Sequence, residues 1–301
     1  MSEFFASHFG EIASLGAAFM WACASLVFTL ASRELGAGNL NRLRLVLATC
    51  ILALIITVSY GWDWLGAVSG GDFAILAVSG IIGLAIGDRL YFTALSEMGP
   101  RLSTQVFALN PVSSIFLAWV ILDETLKLGS IIGIVIAIAG VLIVTGERKQ
   151  RGQGYHPTPK GIVYALIATL FHSTAFVIAK IVMIERIDPL FASFIRMISA
   201  MTFIWIFAAF SGKFLSTLKS AATLRKTALA VSGAVLGPSL GVWIALVGIK
   251  NAPVGIASTL LSMTPLFVIP LVMLLHGERV SARGVAGALV AFAGVTLIFA
   301  F

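Results

Sequence analysis

Residues 80–100 read GIIGLAIGDRLYFTALSEMGP, an apolar stretch with two adjacent charges, Asp88 and Arg89, near its middle. A helix of about 20 apolar residues is long enough to cross the hydrocarbon layer of a membrane. A charged side chain inside such a helix costs about 2.5–3.5 kcal/mol on insertion scales, so it faces protein or water and takes a partner. The stretch therefore predicts a membrane-spanning helix with a functional or ion-paired carboxylate in its interior.

Similar apolar stretches extend on both sides of residues 80–100 over almost the whole chain. The 301 residues are 59% hydrophobic and only 11% charged, which is far from the composition of soluble domains. Runs such as ILALIITVSY (51–60) and IIGIVIAIAGVLIVTG (131–146) are apolar throughout, whereas the strands of a membrane barrel alternate apolar and polar residues. We therefore expect an all-α, multi-pass membrane protein.

Ten apolar segments have the length of membrane-spanning helices, and we number them spans one to ten. The predicted spans are 12–31, 40–60, 73–98, 103–122, 130–146, 161–183, 189–210, 228–249, 254–275 and 282–301. The polar stretch ERKQRGQGYHPTPK (147–160) separates spans five and six and is typical of a solvated linker. We therefore expect a first five-helix unit at 1–147, a basic linker at 148–160 and a second five-helix unit at 161–301.

Basic residues are distributed unequally between the two sets of interhelical loops. The loops after the even-numbered spans carry three, Lys127, Arg186 and Lys250. The loops after the odd-numbered spans carry thirteen, namely Arg33, Arg42, Arg101, Arg148, Lys149, Arg151, Lys160, Lys213, Lys219, Arg225, Lys226, Arg279 and Arg283. Because Lys and Arg in short loops stay cytoplasmic, we expect both termini to face outward. Membrane topology thus explains the net charge of +7, and we expect no nucleic-acid partner.

The chain repeats itself at a fixed offset. Shifted by 154 residues, Gly83 matches Gly237, Gly87 matches Gly241 and Pro111 matches Pro265. These small residues, with those of spans five and ten, predict close helix packing. Each unit holds five spans, an odd number, so the second unit enters the membrane from the opposite side. We therefore predict two inverted five-helix repeats, an architecture that places a substrate site near the midplane between the halves.

The doubled pattern resembles the EamA family of the drug/metabolite transporter superfamily. The residues that carry the resemblance are Trp21 and His172 in spans one and six, Arg44 and Arg196 in spans two and seven, YFTAL (91–95), Pro111 and Pro265, Glu124 and Glu278, and the AG pairs of spans five and ten. The resemblance implies a carrier with a central cavity formed by spans one to four and six to nine, buttressed by spans five and ten. Members of the family are generally thought to keep both termini in the cytoplasm, and the loop charges here depart from that.

Asp88 is the carboxylate predicted deepest inside a span, and Arg44, Arg196 and Lys180 are its candidate partners. Its role is a structural ion pair, a contact to the ammonium group of a substrate, or proton coupling. Tyr91 lies on the same helix face and supplies either a binding or a packing group. The residues that we expect to line the substrate site are Trp21, Ser25, Arg44, Asp88, Tyr91, Phe107, Asn110, His172, Phe176, Lys180, Arg196 and Thr264.

The remaining candidates follow from helical spacing and from two prolines. Phe107 and Asn110 share a face of span four, and Pro111 removes the amide donor for the Phe107 carbonyl; Thr264 and Pro265 repeat this in span nine. His172, Phe176 and Lys180 share a face of span six, with Trp21 and Ser25 as their counterparts in span one. The alternatives are a structural kink, a neutral histidine bonded to a neighbouring helix, and a Lys180 that extends outward. Glu124 and Glu278 are expected at the water boundary, either solvated or linking helices.

Enzyme chemistry has little support in the sequence. The four histidines are scattered without metal-ligand spacing, and a phosphate-binding P-loop is missing, so we expect no metal and no cofactor. We expect a secondary transporter that exports a small metabolite such as an amino acid across the bacterial inner membrane, with a proton as the candidate coupling ion and one monomer sufficient for the cavity. The alternatives are a flippase for a lipid-linked metabolite and a membrane-embedded enzyme.

Overall fold

The computed structural model of the chain describes residues 2–61, 63–145, 158–184, 186–220, 223–276 and 282–300. Within these ranges every regular element is a helix, as the composition predicts. Most of the predicted linker at 148–160, and Glu278 after span nine, lie outside the described residues.

The first half of the chain contains the elements of spans one to five. In chain order they are α1 (Ser2–Ser7), α2 (Phe9–Leu35), α3 (Ala37–Ser59), a 3-10 turn (Asp63–Ala67), α4 (Gly70–Gly80), a π-helical segment (Ile81–Gly87), α5 (Asp88–Phe107), α6 (Asn110–Leu122) and α7 (Leu128–Thr145).

The second half contains the elements of spans six to ten. In chain order they are α8 (Pro159–Met183), α9 (Pro189–Phe210), α10 (Phe214–Ser220), α11 (Leu224–Ala234), a second π-helical segment (Val235–Gly241), α12 (Val242–Asn251), α13 (Val254–Leu261), α14 (Thr264–His276) and α15 (Ala282–Ala300).

Seven helices in the described ranges are long and apolar enough to cross a membrane. They correspond to predicted spans one, two, three, six, seven, eight and ten. The apolar helices at spans four, five and nine are shorter, at Asn110–Leu122, Leu128–Ile143 and Val254–Val268. The multi-pass fold is therefore confirmed, whereas the count of ten spans stays a prediction.

The predicted separation of spans three and four is not marked by a non-helical residue, because α5 is helical from Asp88 to Phe107, past Gly99 and Pro100. The chain nevertheless turns back within α5, since His172 lies beside both Asp88 and Phe107, which a straight helix would hold about 28 Å apart. A proline disfavours helical conformation in the residue before it partly through a clash with that residue's Cβ, and Gly99 has none. At the equivalent place in the second half, Ala252 precedes Pro253 and is extended, with φ −135° and ψ 160°, so the helix ends there.

Each half has a break between two helices just before a repeated proline, Pro111 in the first half and Pro265 in the second. Helix α5 ends at Phe107 and α6 begins at Asn110, while α13 ends at Leu261 and α14 begins at Thr264. Pro111 and Pro265 each take the second position of the new helix, where a missing amide hydrogen costs nothing. Predicted spans four and nine are therefore each divided into two helices.

Two π-helical segments occupy equivalent positions in the halves, because Ile81–Gly87 and Val235–Gly241 differ by the repeat offset of 154. A glycine closes each segment. A Cβ on Gly87 would lie 3.0 Å from the carbonyl oxygen of Ile82, and one on Gly241 2.7 Å from that of Leu236. The repeat thus extends to a helix distortion that sequence reasoning did not predict, and π-bulges of this kind are frequent at functional sites.

The halves pack into each other with exchanged partners. His172 of α8 lies against Gly87, and Trp21 of α2 lies against Gly241. The first spanning helix of each half therefore packs on the π-helical segment of the other half. Helices α7 and α15 pack together along their small residues, since a Cβ on Gly133 would lie 2.8 Å from the carbonyl oxygen of Gly294. The predicted close packing of the glycine faces is confirmed.

Contacts between loops and helix ends divide the molecule into two faces. On one face Arg42 donates to Thr217 at 2.7 Å and Arg225 pairs with Glu34 at 2.9 Å. On the other face Arg186 pairs with Asp72 at 3.2 Å. The imidazole Nε2 of His8, near the amino terminus, lies 3.2 Å from the carbonyl oxygen of Phe299. Both ends of the chain thus lie together, as the prediction of an even number of spans requires.

Candidate functional site

The carboxylate of Asp88 forms an ion pair with Arg44. Asp88 is the first residue of α5, directly after the π-helical segment, and is 9% exposed. Its Oδ2 accepts a hydrogen bond from Nη2 of Arg44, whose Nε donates to Oδ1 of Asn41 at 2.7 Å. Of the three candidate partners, the structure therefore selects the cation of the neighbouring helix α3. Arg89 points away, since it is exposed and stacks over the ring of Phe207 at 5.1 Å.

The second half of the chain contributes His172 to the same cluster. Its Nε2 lies 3.3 Å from Oδ1 of Asp88, outside hydrogen-bond geometry. The ring reaches this position because Gly87 has no side chain, as a Cβ there would lie 3.2 Å from the imidazole. Asp88 therefore stands between a guanidinium of the first half and an imidazole of the second.

Aromatic rings cover one side of this cluster. The ring centroid of Phe107 lies 4.8 Å from that of Tyr91 and 5.1 Å from that of His172, the latter pair in an edge-to-face arrangement. Phe107 ends helix α5, and the proximity of Tyr91 and Phe107 depends on the chain turning back between them, since sixteen residues of straight helix would span about 24 Å. The predicted grouping of Asp88, Tyr91, Phe107 and His172 is observed.

Arg196 is the most deeply buried of the predicted cations, with 1% of its surface exposed. Its Nε and Nη1 make no hydrogen bond to any described residue, and its guanidinium stacks over Phe176 at 5.7 Å. A Cβ on Gly83 would lie 3.5 Å from its Nη2, which places the guanidinium beside the π-helical segment that leads to Asp88. A buried cation without hydrogen-bond partners is costly, so this group is a candidate receptor for an anion.

Asn110 is buried next to a serine cluster and not beside Asp88. Its amide donates to the carbonyl of Thr169 at 3.4 Å, and its Oδ1 accepts from Ser114 at 3.1 Å. The hydroxyl of Ser173 donates to the Asn110 carbonyl at 3.2 Å. These bonds tie the start of α6 to the middle of α8 and give Asn110 a structural role at the helix break, whereas a shared cavity wall with Asp88 stays a prediction.

Lys180 forms a second buried ion pair far along α8 from His172. Its ammonium lies 2.6 Å from Oε1 of Glu124 and donates to the carbonyl of Ala252 at 2.6 Å. Oε2 of Glu124 accepts from the amide of Val254 at 2.7 Å. Lys180 therefore neither pairs with Asp88 nor extends outward, and Glu124 links helices. The network joins α6 and α8 to the loop between α12 and α13.

The remaining predicted site residues, two from span one and one from span nine, make their described contacts elsewhere. Trp21 packs on Gly241, the hydroxyl of Ser25 donates to the carbonyl of Ala22 at 2.7 Å, and that of Thr264 donates to the carbonyl of Leu261 at 2.8 Å. The repeat thus provides equivalent helices in both halves but a buried carboxylate in only one of these positions, since Val242 stands where the first half has Asp88.

The Asp88 cluster lies closer to one face than to the other. Arg44 follows the first residue of the 23-residue helix α3 by seven positions, or about 10 Å of a helix about 34 Å long. The cluster therefore lies about a third of the way along α3, on the face of Arg42 and Thr217. Among the described residues no group of three or more His, Cys, Asp or Glu side chains is placed to hold a metal ion.

Comparison with known proteins agrees with this architecture. An uncharacterized transporter of Archaeoglobus fulgidus is 25% identical over 289 residues, which cover 95% of this chain and 96% of that protein. An uncharacterized transporter of Clostridium kluyveri is 25% identical over 224 residues, covering 73% of this chain and 70% of its own. A solved crystal structure with 16% identity superposes with a TM-score of 0.73 over 97% of both chains, and it shows the shared fold. The model of the EamA-like transporter family matches residues 8–146 and again 159–300, and the chain therefore belongs to that family, within the drug/metabolite transporter superfamily.

Proposed function

We propose that the protein is a secondary transporter that exports a small metabolite carrying both a carboxylate and an ammonium group, such as an amino acid. The observation that best supports this proposal is that two buried groups of opposite charge, Asp88 and Arg196, lie between the two halves. Asp88 is paired with Arg44 from the first half, whereas Arg196 from the second half donates no hydrogen bond to a described residue. A zwitterion presents the two charges that complement this arrangement.

The chemistry of binding follows from these two groups. The guanidinium of Arg196 has a fork of donors that suits a carboxylate, and binding an anion would relieve the cost of its burial. The ammonium group of the substrate would compete with Arg44 for the carboxylate of Asp88. Phe107, Tyr91 and His172 would supply the wall against which the rest of the molecule rests. No cofactor takes part in this scheme.

The transport cycle that we propose is alternating access between the two five-helix units, 1–147 and 161–301, connected by the linker at 148–160. The repeated helix breaks after Phe107 and Leu261 support it, because discontinuous helices recur at the binding sites of secondary transporters. The odd number of spans per unit supports an inverted relation between the units. One monomer supplies both sides of the cluster, so a monomer in the inner membrane of a bacterial cell suffices.

The test is amino-acid transport by purified protein in proteoliposomes. Asp88→Asn keeps the shape of the side chain and removes its charge, so we expect at least about a tenfold loss of transport, because Arg44 then holds no counter-charge and the substrate ammonium has no carboxylate to bind. Asp63→Asn, on the exposed 3-10 turn, is the matched control and should transport normally. Equal transport by both variants at equal membrane abundance would overturn the proposal.

The same variants separate ammonium recognition from proton coupling. If Asp88 carries a coupling proton, transport by the native protein depends on pH and the dependence disappears in Asp88→Asn. If Asp88 only binds the ammonium group, the variant loses transport of zwitterions at every pH while it still binds substrates that lack the amine. Binding measured by quenching of tryptophan fluorescence with the amine-free analogue distinguishes the two results.

A further inference from the structure

A cavity of about 510 Å³ opens between α3, α5 and α9, next to but outside the Asp88 cluster. Three cations line it, Arg42, Arg89 and Lys213, and among its described lining residues none is acidic. None of these three cations forms an ion pair with a described residue. The cavity therefore carries a positive charge that no described acidic residue neutralises, and an anion would be attracted to it.

The walls of the cavity are apolar although its rim is charged. Phe203 and Phe207 of α9 are exposed by 43% and 52%, and Ala85 and Ile86 of the π-helical segment form the opposite side. In a chain that lies in a membrane, exposed phenylalanines on a spanning helix face lipid tails. An occupant that matches both parts needs an anionic end and an apolar body.

Several residues place the rim of the cavity at the level of the lipid headgroups. The indole of Trp205 donates to the carbonyl of Arg42 at 3.3 Å, and tryptophan concentrates at the membrane interface. Helix α10 lies beside it, anchored by Thr217, which is fully buried and accepts from Nε of Arg42. Its Leu215 and Leu218 are 66% and 50% exposed, as in a helix that lies along the interface.

Two hydrogen bonds fix the orientation of the Arg42 guanidinium and leave one of its nitrogens available to a ligand. Its Nε donates to Thr217 and its Nη2 donates to Oδ1 of Asn39, both at 2.7 Å. Nη1 makes no hydrogen bond to a described residue, so its protons are available to a phosphate oxygen. Arg89 is oriented by its stacking over Phe207, and Lys213 follows the end of α9 at the rim.

We propose that this cavity binds one anionic phospholipid of the surrounding bilayer, with its phosphate between Arg42, Arg89 and Lys213 and an acyl chain along Phe203 and Phe207. Basic pockets between membrane helices on the cytoplasmic side are suited to such headgroups, and loop charge assigns this face to the cytoplasm. The lipid would brace α3 and α9 against α5, beside the helix that carries Asp88. This site is separate from the proposed substrate site and does not depend on the substrate's identity.

The test measures retention of lipid by native mass spectrometry of the purified protein, titrated with phosphatidylglycerol or phosphatidylcholine. We expect one phosphatidylglycerol to be retained at least about tenfold more strongly than phosphatidylcholine, because only the former carries a net negative charge. Arg89→Gln with Lys213→Gln should abolish this preference. The matched control, Lys160→Gln with Arg283→Gln, removes two exposed charges outside the cavity and should keep it.

A further variant and a competitor distinguish binding of a lipid from binding of a soluble anion and from a loss of stability. Phe207→Ala retains every charge but removes an apolar wall, so it should weaken retention of phosphatidylglycerol while its melting temperature in lipid-free detergent stays close to that of the native protein. Glycerol phosphate, which lacks acyl chains, should not displace the lipid. Displacement by glycerol phosphate at equal concentration would show a site for a soluble anion, and equal retention of the two lipids would show no anionic site. Either result overturns the proposal.

Discussion

Arg44 and Arg196 stand at equivalent places in the two halves, yet their surroundings differ. Arg44 is bound by Asp88 and Asn41, whereas the position matching Asp88 in the second half is Val242. Arg196 has only the face of Phe176 as a described partner for its guanidinium. The asymmetry of one carboxylate leaves one buried arginine with unused donors, and this is the group that we propose binds the carboxylate of the substrate.

Arg196→Met tests whether this arginine serves the substrate or the fold. A buried cation without hydrogen-bond partners destabilises the protein, so we expect the variant to unfold at the same or a higher temperature while transport falls at least about tenfold. Arg196→Lys keeps the charge but loses the fork of donors, and we expect an intermediate loss. Thermal unfolding and proteoliposome transport are measured on the same preparations.

Arg283→Met is the control for the loss of one positive charge, since Arg283 is exposed. It should change neither quantity. A strongly lowered unfolding temperature in Arg196→Met would instead show that Arg196 stabilises the packing of α9 against the π-helical segment.

The helices are interrupted where the candidate site residues gather. In the first half the π-helical segment precedes Asp88, and α5 ends at Phe107 beside His172. The glycines of this segment let α8 approach so closely that a Cβ on Gly83 would lie 2.8 Å from the Cβ of Ala175. Distortion of the helix and contact between the halves thus occur at the same residues, which is why the cluster includes groups from both.

The ion pair of Lys180 and Glu124 lies on the opposite face, where it joins α6 and α8 to the start of α13. Removing one partner leaves a buried charge unpaired, which costs about 3–5 kcal/mol in such pairs. We therefore expect Glu124→Gln and Lys180→Met each to lower the unfolding temperature. The double variant Glu124→Gln with Lys180→Met should recover part of the loss, because the remaining groups are neutral.

Arg225→Gln with Glu34→Gln is a comparison pair on the other face, where the side chains of Arg225 and Glu34 are 77% and 26% exposed. An exposed ion pair contributes about 0–1 kcal/mol, so this double variant should unfold near the native temperature. Additive losses in the Lys180 and Glu124 cycle would contradict the coupling that the structure indicates.

The two faces of the whole molecule are consistent with the loop-charge pattern. On one face Arg42 contacts Thr217 and Arg225 contacts Glu34, and all four residues belong to loops predicted as cytoplasmic. The chain ends meet on the other face through His8 and Phe299. Contacts group the loops into two sets, and the excess of basic residues indicates which set is cytoplasmic.

A topology assay tests this orientation. A reporter fused after the last residue should report an exterior location, and one inserted within 150–156 should report a cytoplasmic one, because the loops after odd-numbered spans carry thirteen basic residues against three. Alkaline phosphatase and green fluorescent protein fusions give opposite signals on the two sides. The reverse pattern would refute the orientation and leave the grouping of the loops intact.

Properties that depend on local chemistry could be predicted from the sequence. The apolar runs predict membrane helices because each run must satisfy its own backbone hydrogen bonds in lipid, and the charge of Asp88 predicts a buried partner because ionised groups are costly there. The repeat offset predicts equivalent helices, and the two π-helical segments obey it. The turn expected at Gly99 and Pro100 keeps a helical backbone, because a glycine before proline tolerates the helical conformation.

Tertiary structure alone decided which charges meet. Arg44, Arg196 and Lys180 were equal candidates for Asp88 in the sequence, and only the packing of the helices brings Arg44 of α3 to Asp88, while α8 carries Lys180 to Glu124. The same packing places Asn110 in the serine cluster and leaves Arg196 with donors unused. Helical spacing determines which side chains share a face of one helix, but the partner of a face depends on how distant segments pack, and no local pattern encodes that.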